Sequence, residues 1–478
     1  MVTIYETSKD TDRRFYKLQE AERKAGDKEW TLFSFDVAAA KEAQTFKGFG
    51  GAITESVGFV LSQMPLNVQE EILGKYFDGK NGNGYSFVRT HLNSCDFSLE
   101  NWACVPQKDE TLESFSMERP NKYMLPAIHK AAEIAKSSGK DLNLLISPWS
   151  PPTWMKDNND MNHGGKLLPQ YKKLWAEYFC KFILELQKQN LKVSYVTIQN
   201  EPEAKQVWDS CLWTGEEEGD FAVNYLYPAF EAHNLSDIKI LVWDHNRDRL
   251  KERFEESMSV VNAAESKNAT ETGSAIGGAA FHWYSGDQYD NLKFLSQKYP
   301  DKDFIFTEGC IEGGPRQGAW FTGERYAHNI INDLKSGTTT WIDWNIVLDM
   351  QGGPNHVGNY CDAPILADEK TGTLHFQSSY YYIGHFSRFI QPGAVRLSSD
   401  FFSYMTPANV SGHLTGEAET LAFRNPDGTI VLIVTNRTEA ELVFELKVEG
   451  KPVASNESNE PLYLKIPARS IQTWILEE

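Results

Sequence analysis

Eight short apolar segments recur along most of the chain, and each of them ends in polar or aromatic residues. Their short length and their content of β-branched and aromatic residues are typical of buried strands. Between them, apolar residues spaced three and four apart predict amphipathic helices, for example over 123–138 and 170–189. In chain order the predicted strands are Gly48–Glu55, Phe87–Asn93, Asn143–Trp149, Val193–Pro202, Lys239–His245, Gly278–Tyr284, Asp303–Cys310 and Thr339–Asn345.

The alternation of strands with helices predicts a parallel sheet, because parallel neighbours need a long crossover connection. Eight strands are the number that closes a (β/α)8 barrel. We therefore predict an α/β fold in which residues 47–389 form a TIM barrel. The carboxyl ends of all barrel strands open on one face, where the active sites of such barrels lie.

The pattern changes after about residue 390, where strand-like segments follow one another without helices. Asn425–Gly428 separates two of these segments with a sequence that is typical of a turn. We predict a β-sandwich over 390–478. The N-terminal residues 1–46, with strand-like pieces around Phe15–Leu18 and Trp30–Phe35, are expected to complete it.

Two of the predicted barrel strands run directly into a glutamate, Glu201 in the fourth and Glu308 in the seventh. A carboxylate at the end of a buried strand is costly unless it has a function. Strands four and seven lie on opposite sides of a barrel mouth, so the two carboxylates are expected to face each other. Such a pair can hydrolyse a glycoside, with one carboxylate as nucleophile and the other as acid and base. The alternative for each glutamate is a surface salt bridge, which fits poorly with the apolar run before it.

Other polar and aromatic residues near strand ends are candidates for binding a sugar. An amide at Asn200 is suited to hydrogen-bond a substrate hydroxyl, and a guanidinium at Arg89 is suited to keep a neighbouring carboxylate ionised. Aromatic rings can form walls for a sugar ring. Each candidate also has a structural interpretation as a turn residue, buried ion pair, core side chain or solvated loop. The predicted substrate-binding residues are Arg89, Asp96, Trp149, Asn200, His282, Tyr284, Trp344 and Asn359.

Charge and cysteine content exclude several classes of function. The chain has 47 Lys and Arg against 66 Asp and Glu, a net charge of −19, which argues against nucleic-acid binding and a basic membrane-surface patch. The six cysteines are scattered, and neither Cys/His nor His/Asp spacing matches a ligand motif, so no disulfide framework, metal or cofactor is expected.

Residues 1–10 contain no apolar signal segment and no long apolar run follows. We therefore expect a cytoplasmic protein without a membrane span, or a secreted one if a signal peptide was removed.

Several short segments form a set that is more specific than any one of them. They are Gly48–Ser56, Val88–Ser98, Ser147–Lys156, Gln199–Pro202, Phe281–Tyr284, Thr307–Cys310, Asp343–Asn345, Gly352–Asn355, Gly358–Ile365 and Gly384–Ile390. In this order the set resembles glycoside hydrolase family 30, most closely its glucosylceramidase (acid β-glucosidase) branch. The resemblance implies a barrel with a side β-sandwich and a retaining mechanism, with Glu201 as acid/base and Glu308 as nucleophile. It also implies a glucose subsite lined by Arg89, Asp96, Trp149, Asn200, Trp344 and Asn359, with His282 and Tyr284 beside the nucleophile.

The resemblance leaves more than one function open. We expect exo-acting hydrolysis of a β-glucoside, with a small-molecule or oligosaccharide substrate and a glycolipid as a further option. The lysosomal members carry a secretory signal and a disulfide-bearing N-terminal segment that this sequence lacks. An endo-acting β-1,6-glucanase or a β-xylosidase with the same two glutamates is an alternative. A non-catalytic, carbohydrate-binding barrel is an alternative of another class.

Overall fold

The computed structural model describes residues 2–19, 33–39, 44–268, 275–403, 418–453 and 461–477. The strands are β1 (Val2–Ser8), β2 (Tyr16–Lys17), β3 (Phe33–Ala39), β4 (Gly48–Ala52), β5 (Phe87–Leu92), β6 (Asn143–Pro148), β7 (Lys192–Thr197), β8 (Lys239–Asn246), β9 (Gly278–His282), β10 (Asp303–Glu308), β11 (Thr340–Asn345), β12 (Val347–Asp349), β13 (Ile365–Asp368), β14 (Thr373–Phe376), β15 (Val395–Ser403), β16 (Ala418–Arg424), β17 (Ile430–Asn436), β18 (Leu442–Val448), β19 (Lys451–Pro452), β20 (Tyr463–Ile466) and β21 (Ser470–Leu476). The α-helices are α1 (Glu55–Gln63), α2 (Leu66–Phe77), α3 (Glu118–Lys122), α4 (Met124–Ser137), α5 (Lys172–Lys188), α6 (Gly215–Phe221), α7 (Tyr227–Ala232), α8 (Leu250–Asn268), α9 (Tyr289–Lys298), α10 (Phe321–Lys335) and α11 (Ser378–Ser387).

The strands β4 to β11 form a closed barrel in chain order, which confirms the predicted fold class. Each barrel strand begins within one residue of its predicted start, and the predicted helices over 123–138 and 170–189 are α4 and α5. Inward-pointing side chains fill the barrel as a packed layer rather than a pore. This layer consists of Phe87, Leu145, Tyr195, Leu241, Ala280, Ile305 and Ile342.

A second sheet has ten strands in the order β19-β18-β3-β15-β16-β17-β21-β1-β2, with β20 also paired with β18, and β12, β13 and β14 form a small separate sheet. Apolar side chains from several of these strands, among them Ile4, Leu432, Phe444 and Trp474, pack into one core, as expected for a β-sandwich. Most pairs are antiparallel, but β3 runs parallel to β18.

The N-terminal strands lie in this sheet, but their bounds differ from the prediction. Phe15–Leu18 yields only the two-residue strand β2, whereas the longer strand is β1, which pairs along its whole length with β21. The pairing partner of β1 is hundreds of residues away, so local sequence carries little signal for it. Of the predicted strand Trp30–Phe35, residues 30–32 lie outside the described residues, and Phe33–Phe35 belong to β3.

The chain divides into two compact units. One comprises residues 1–48, 318–339 and 376–478, and so includes α10 and α11 with the sandwich strands. The other comprises residues 49–317 and 340–375. The boundaries predicted from sequence, at residues 46/47 and 389/390, stay a prediction. Within the part of the chain that the structure describes, no helix has the length and apolar character that crossing a bilayer requires.

Candidate active site

Both predicted catalytic glutamates lie at the carboxyl ends of barrel strands. Glu308 is the last residue of β10, at a shift in the register with β9 that lies between Phe306 and Glu308. Glu201 follows β7, and its φ of 49° lies in the left-handed region, which a non-glycine residue rarely adopts. Its backbone N–H donates to the carbonyl of Asp244 at 3.0 Å. Strain and irregular pairing of this kind are common at functional sites because they aim a side chain.

Glu308 is held by two hydrogen-bond donors. Nη1 of Arg89 donates to Oε2 at 2.6 Å, and the Tyr284 hydroxyl donates to Oε1 at 3.0 Å. Burial raises the pKa of Glu308 above its ordinary value and the charge of Glu201 adds to this, while the charges of His282 and Arg89 oppose it. Both carboxylate oxygens therefore have a fixed partner, so the side chain is held in one orientation.

Arg89 is fully buried and connects several elements of the barrel mouth. Nη2 donates to Oδ1 of Asn200 at 2.7 Å and to Oδ2 of Asp244 at 2.8 Å. The guanidinium also lies 4.8 Å from the ring centroid of Trp149 and 5.4 Å from that of Trp344. These two indoles stack on each other with centroids 5.6 Å apart. A cation over the face of an indole is attracted to it, so the tryptophans support the arginine as well as the cleft.

Asp244 is a buried member of the site that sequence reasoning missed. It lies in β8, at a register shift with β9 between Trp243 and His245, and its φ is 48°. Its carboxylate accepts hydrogen bonds from Arg89 (2.8 Å), Ser147 (3.0 Å), Thr197 (2.7 Å), Thr307 (2.6 Å) and His282 (3.1 Å). Burial alone would raise the pKa of Asp244, but the charge on Arg89 and the hydrogen bond from His282 hold it well below its ordinary value. An acid at the end of the fifth predicted strand was the signal that could have identified it.

Glu201 lies beside two histidines. Nδ1 of His282 is 3.3 Å from Oε1 of Glu201, and Nδ1 of His245 is 3.5 Å from the same oxygen. Burial would raise the pKa of Glu201, but the hydrogen bond from His282 and the charges of both histidines lower it. Burial would lower the pKa of His282, but the charge of Glu308 and the hydrogen bonds to Asp244 and Glu201 raise it to about 9. The ligand atoms of Glu201, His245 and His282 all lie within 4.8 Å of one another.

Because two acids share the site, their protons are best assigned to the pair rather than to either residue. The hydrogen bonds around Glu308 suit an ionised carboxylate, since Arg89 and Tyr284 both donate to it. Against the effect of burial, the hydrogen bond that His282 donates to Glu201 lowers the pKa of this glutamate. The arrangement can thus hold one carboxylate ionised while the other exchanges a proton.

Asp96 and Asn359 form a second polar group of the predicted subsite. Nδ2 of Asn359 donates to Oδ2 of Asp96 at 3.2 Å, and Nδ2 of Asn355, which was not predicted as a site residue, donates to the same oxygen at 3.3 Å. Burial, followed by the charge of Glu308, raises the pKa of Asp96 to about 7, against the hydrogen bond from Asn359. Neither amide donates to Oδ1 of Asp96 in these bonds, so that oxygen is the natural acceptor for a substrate hydroxyl.

Cysteines pack with the stacked indoles of Trp149 and Trp344. Cys310, expected to be a packing residue, lies in one buried cluster with Cys361, Trp149 and Trp344. The ring of Tyr284 packs against this cluster, and its hydroxyl lies 3.4 Å from Sγ of Cys310. All six cysteines are free and buried. The predicted site residues are thus joined into one region of the barrel unit, through Arg89 and through this cluster.

Comparison with known proteins identifies the family. The models for the TIM-barrel domain and the β-sandwich domain of glycosyl hydrolase family 30 match residues 46–390 and 393–474. The chain belongs to glycosyl hydrolase family 30. Membership confirms the resemblance seen in the sequence, and with the closed barrel it confirms the predicted architecture of a TIM barrel with a β-sandwich.

Individual relatives carry names with different activities. The chain is 34% identical to the lysosomal acid glucosylceramidase of Mus musculus over 421 residues, which cover 84% of this chain and 77% of that protein. The crystal structure of SrfJ from Salmonella typhimurium superposes with a TM-score of 0.86 at 32% identity, and the endo-beta1,6-glucanase BT3312 with a TM-score of 0.81 at 25% identity; both matches cover 100% of each chain. The family and these relatives support β-glycosidase activity.

Proposed function

We propose that the protein is a retaining, exo-acting β-glucosidase of the glucosylceramidase type, which works through a covalent glycosyl-enzyme. The observation that carries the proposal is the different environment of the two glutamates. Glu308 accepts hydrogen bonds from Arg89 and Tyr284, whereas Glu201 lies beside two histidines that can exchange protons. A fixed, ionised carboxylate suits a nucleophile, and a carboxyl group in a titratable environment suits an acid and base.

In the first step, an oxygen of Glu308 attacks the anomeric carbon and forms an ester with the sugar. The bond from that carbon to the glycosidic oxygen breaks, and Glu201 gives its proton to the departing oxygen. Arg89 contacts Glu308 with Nη1 and Asn200 with Nη2. It therefore fixes the nucleophile and the neighbouring amide relative to each other. Positioning of this kind is where much of the rate enhancement of such an enzyme arises.

In the second step, Glu201 acts as a base. It takes a proton from a water molecule whose oxygen attacks the anomeric carbon, and the ester to Glu308 breaks. The sugar leaves with the stereochemistry that it had in the substrate, because two displacements occur at the same carbon. The proton on Glu201 is then ready for the next cycle, and Glu308 returns to its hydrogen bonds with Arg89 and Tyr284.

Sugar hydroxyls would be held by polar groups near these carboxylates. Asp96 has two amide donors on Oδ2, which orient its other oxygen, and Asn200 is oriented by Arg89. The stacked indoles of Trp149 and Trp344 offer an apolar wall for the ring. The glucosyl group and the glycolipid substrate are inferred from the similarity to the mouse lysosomal acid glucosylceramidase.

An endo-acting β-1,6-glucanase is the second candidate. It is supported by the similarity to the endo-beta1,6-glucanase BT3312, which matches over the whole of both chains. Such an enzyme needs several sugar subsites filled before it turns over, whereas an exo-acting glucosidase needs one. The two candidates therefore differ in their response to substrates of increasing length.

The test is hydrolysis of a panel of para-nitrophenyl glycosides, namely the β-glucoside, β-xyloside, β-fucoside, β-galactoside and α-glucoside. We expect strong preference for the β-glucoside, followed by activity on glucosylceramide in mixed micelles. Proton NMR of the first product should show the β-anomer before mutarotation. Release of the α-anomer would contradict the retaining mechanism.

A parallel assay with β-1,6-linked gluco-oligosaccharides distinguishes the two candidates. Cleavage of long oligomers in their interior, with no activity on any monosaccharide glycoside, would replace the exo-glucosidase by the endo-glucanase. Binding of these sugars without hydrolysis of any of them would favour the non-catalytic barrel instead. In both outcomes the Glu308→Gln variant serves as the blank, since it retains the fold of the site but lacks the nucleophile.

A further inference from the structure

We propose that Glu201, His245 and His282 form a binding site for a divalent transition-metal ion of the zinc type, and that the ion blocks the site by occupying the acid/base carboxylate. The three residues come from different strands or strand ends, so no motif of closely spaced ligands in the sequence identifies them. The sequence predicted no metal, but that prediction considered only residues close together along the chain. The fold brings their ligand atoms within 4.8 Å of one another.

The distances between ligand atoms suit this ion. Oε1 of Glu201 lies 3.3 Å from Nδ1 of His282 and 3.5 Å from Nδ1 of His245. In a tetrahedral zinc site, bonds of about 2.0–2.1 Å place neighbouring ligand atoms about 3.3 Å apart. Two of the three separations are therefore close to those of a tetrahedral site, and the two imidazole nitrogens lie within 4.8 Å of each other. Two imidazoles and one carboxylate leave a fourth position for water, as in open zinc sites.

His245 provides the observation that points most directly to a ligand. Its Nδ1 is buried and makes no hydrogen bond among the described residues, although it lies 3.5 Å from Glu201. The ring itself is fixed by contact with the indole of Trp243, with centroids 5.1 Å apart. A buried nitrogen without a hydrogen bond is costly, and a metal ion would satisfy it.

His282 is oriented as a metal-binding histidine usually is. Its Nε2 donates to Oδ1 of Asp244 at 3.1 Å, which leaves Nδ1 directed at Glu201. A carboxylate on the far nitrogen fixes the tautomer and the ring orientation of a ligating histidine. The ion would take the place of the proton that His282 now donates to Glu201. The side chains of Glu201 and His245 are each 15% exposed, so an ion can reach them from solvent.

The preferred ions follow from the ligand set. Imidazole nitrogen favours Zn²⁺, Cu²⁺ and Co²⁺, whereas Mg²⁺ and Ca²⁺ prefer oxygen ligands. Glu201 cannot donate a proton to a leaving group while its oxygen is bound to a metal ion. Zinc binding should thus inhibit glycoside hydrolysis, and removal of the ion by a chelator should restore it.

The first measurement is isothermal titration calorimetry of ZnCl2 into the EDTA-treated and dialysed full chain. We expect one zinc ion per chain, with no comparable heat for MgCl2. His245→Phe removes the nitrogen but keeps a ring to pack on Trp243. Because His245 is a ligand, its loss should weaken zinc binding by more than the roughly 10–100-fold that loss of an outer-shell partner costs. The matched control is His233→Phe. His233 also contacts a glutamate, Glu177, at 2.8 Å, but among the residues that the structure describes it belongs to no such group. This control should bind zinc like the original chain.

A second variant and a second probe make the result independent of one substitution. Glu201→Gln removes the third ligand and should also weaken zinc binding, as long as its thermal unfolding shows a folded protein. Co²⁺ in place of zinc should give the intense visible bands of a tetrahedral nitrogen and oxygen site. A cobalt spectrum with thiolate charge-transfer bands, or zinc affinity unchanged in both variants, would overturn the proposal. Because binding is measured without any glycoside, the outcome does not depend on whether the protein is a β-glucosidase.

Discussion

Arg89 and Asp244 form an ion pair, Nη2 to Oδ2 at 2.8 Å, in which both side chains are completely buried. Arg89 contacts the candidate nucleophile Glu308 and Asp244 contacts His282, which in turn contacts Glu201. The pair therefore lies between the two candidate catalytic carboxyl groups. Neither charge touches solvent, so each depends on the other for its stability in the folded protein.

Asp244→Asn should lower both stability and activity. The neutral amide removes one of the two carboxylates that neutralise the buried Arg89 charge and leaves only Glu308. Removal of one member of a buried pair costs about 3–5 kcal/mol of unfolding free energy. Urea unfolding measures this loss, and kcat should fall because Arg89 and His282 lose a shared anchor. Asp248→Asn, four residues on at an exposed position, is the control and should unfold like the original chain. Equal stability of the two variants would contradict the role given to the ion pair.

Glu308→Gln should abolish turnover of all substrates. A neutral amide cannot form the glycosyl ester, so we expect kcat to fall by about 10⁴-fold or more. The control is Glu312→Gln, the same chemical change at an exposed residue beyond the same strand, which should retain near-normal rates. Turnover by Glu308→Gln close to that of the control would rule out the nucleophile assignment.

Glu201→Gln should affect substrates according to their leaving groups. A poor leaving group such as an alkyl alcohol needs a proton from Glu201, and its loss should slow cleavage by about 10²–10⁴-fold. An activated nitrophenyl group leaves without that proton, so formation of the glycosyl-enzyme should be slowed much less. Single-turnover kinetics on both substrate types measures the difference, with Glu203→Gln as the control. Equal losses on both types would count against Glu201 as the acid.

The sandwich unit should lose stability in acid because of His385. This histidine is fully buried between the hydroxyls of Thr473 and Thr7, at 2.9 and 2.8 Å, and burial together with the Arg388 charge lowers its pKa to about 3. In the unfolded chain this histidine has an ordinary pKa of about 6.5. Between about pH 6.5 and 3 the unfolded chain therefore binds a proton that the folded protein does not bind. The contribution is fully present above pH ~6.5 and is lost by about 1.4 kcal/mol per pH unit as the pH falls towards 3.

Urea unfolding of the original chain and of His385→Asn between pH 7 and about 4.5 tests this. The variant is expected to be less stable at neutral pH but to show a smaller loss in acid. His163→Asn, at an exposed histidine, should follow the original chain at every pH. Parallel pH profiles for His385→Asn and the original chain would show that another group is responsible.

The barrel was predictable from sequence because each strand carries its own signal. An apolar run that stops at a polar residue marks both the strand and a candidate functional residue at its end, as Glu308 does at the end of β10. The resemblance to the family added the expected roles of the residues at those ends. The same local signal explains why strand starts were correct to within one residue.

Asp244 and His245 were not predicted as site residues, although the position of Asp244 at the end of the fifth predicted strand was a signal for it. The feature that the sequence did not show is the shift in register against β9, together with a left-handed backbone, which directs Asp244 inwards. The contact between His245 and Glu201 depends on the strained turn after β7, which has no simple sequence signal. Strand β1 was missed for another reason, since its partner β21 is at the other end of the sequence.

The pairing of β1 with β21 also determines when the sandwich can form. Val2 pairs with Leu476, and β21 lies inside the sheet between β17 and β1 rather than at its edge. During synthesis β1 emerges long before β21 and has no partner until Ser470–Leu476 has been made. A chain that lacks β21 therefore exposes an unpaired edge on both β17 and β1, a known route to aggregation.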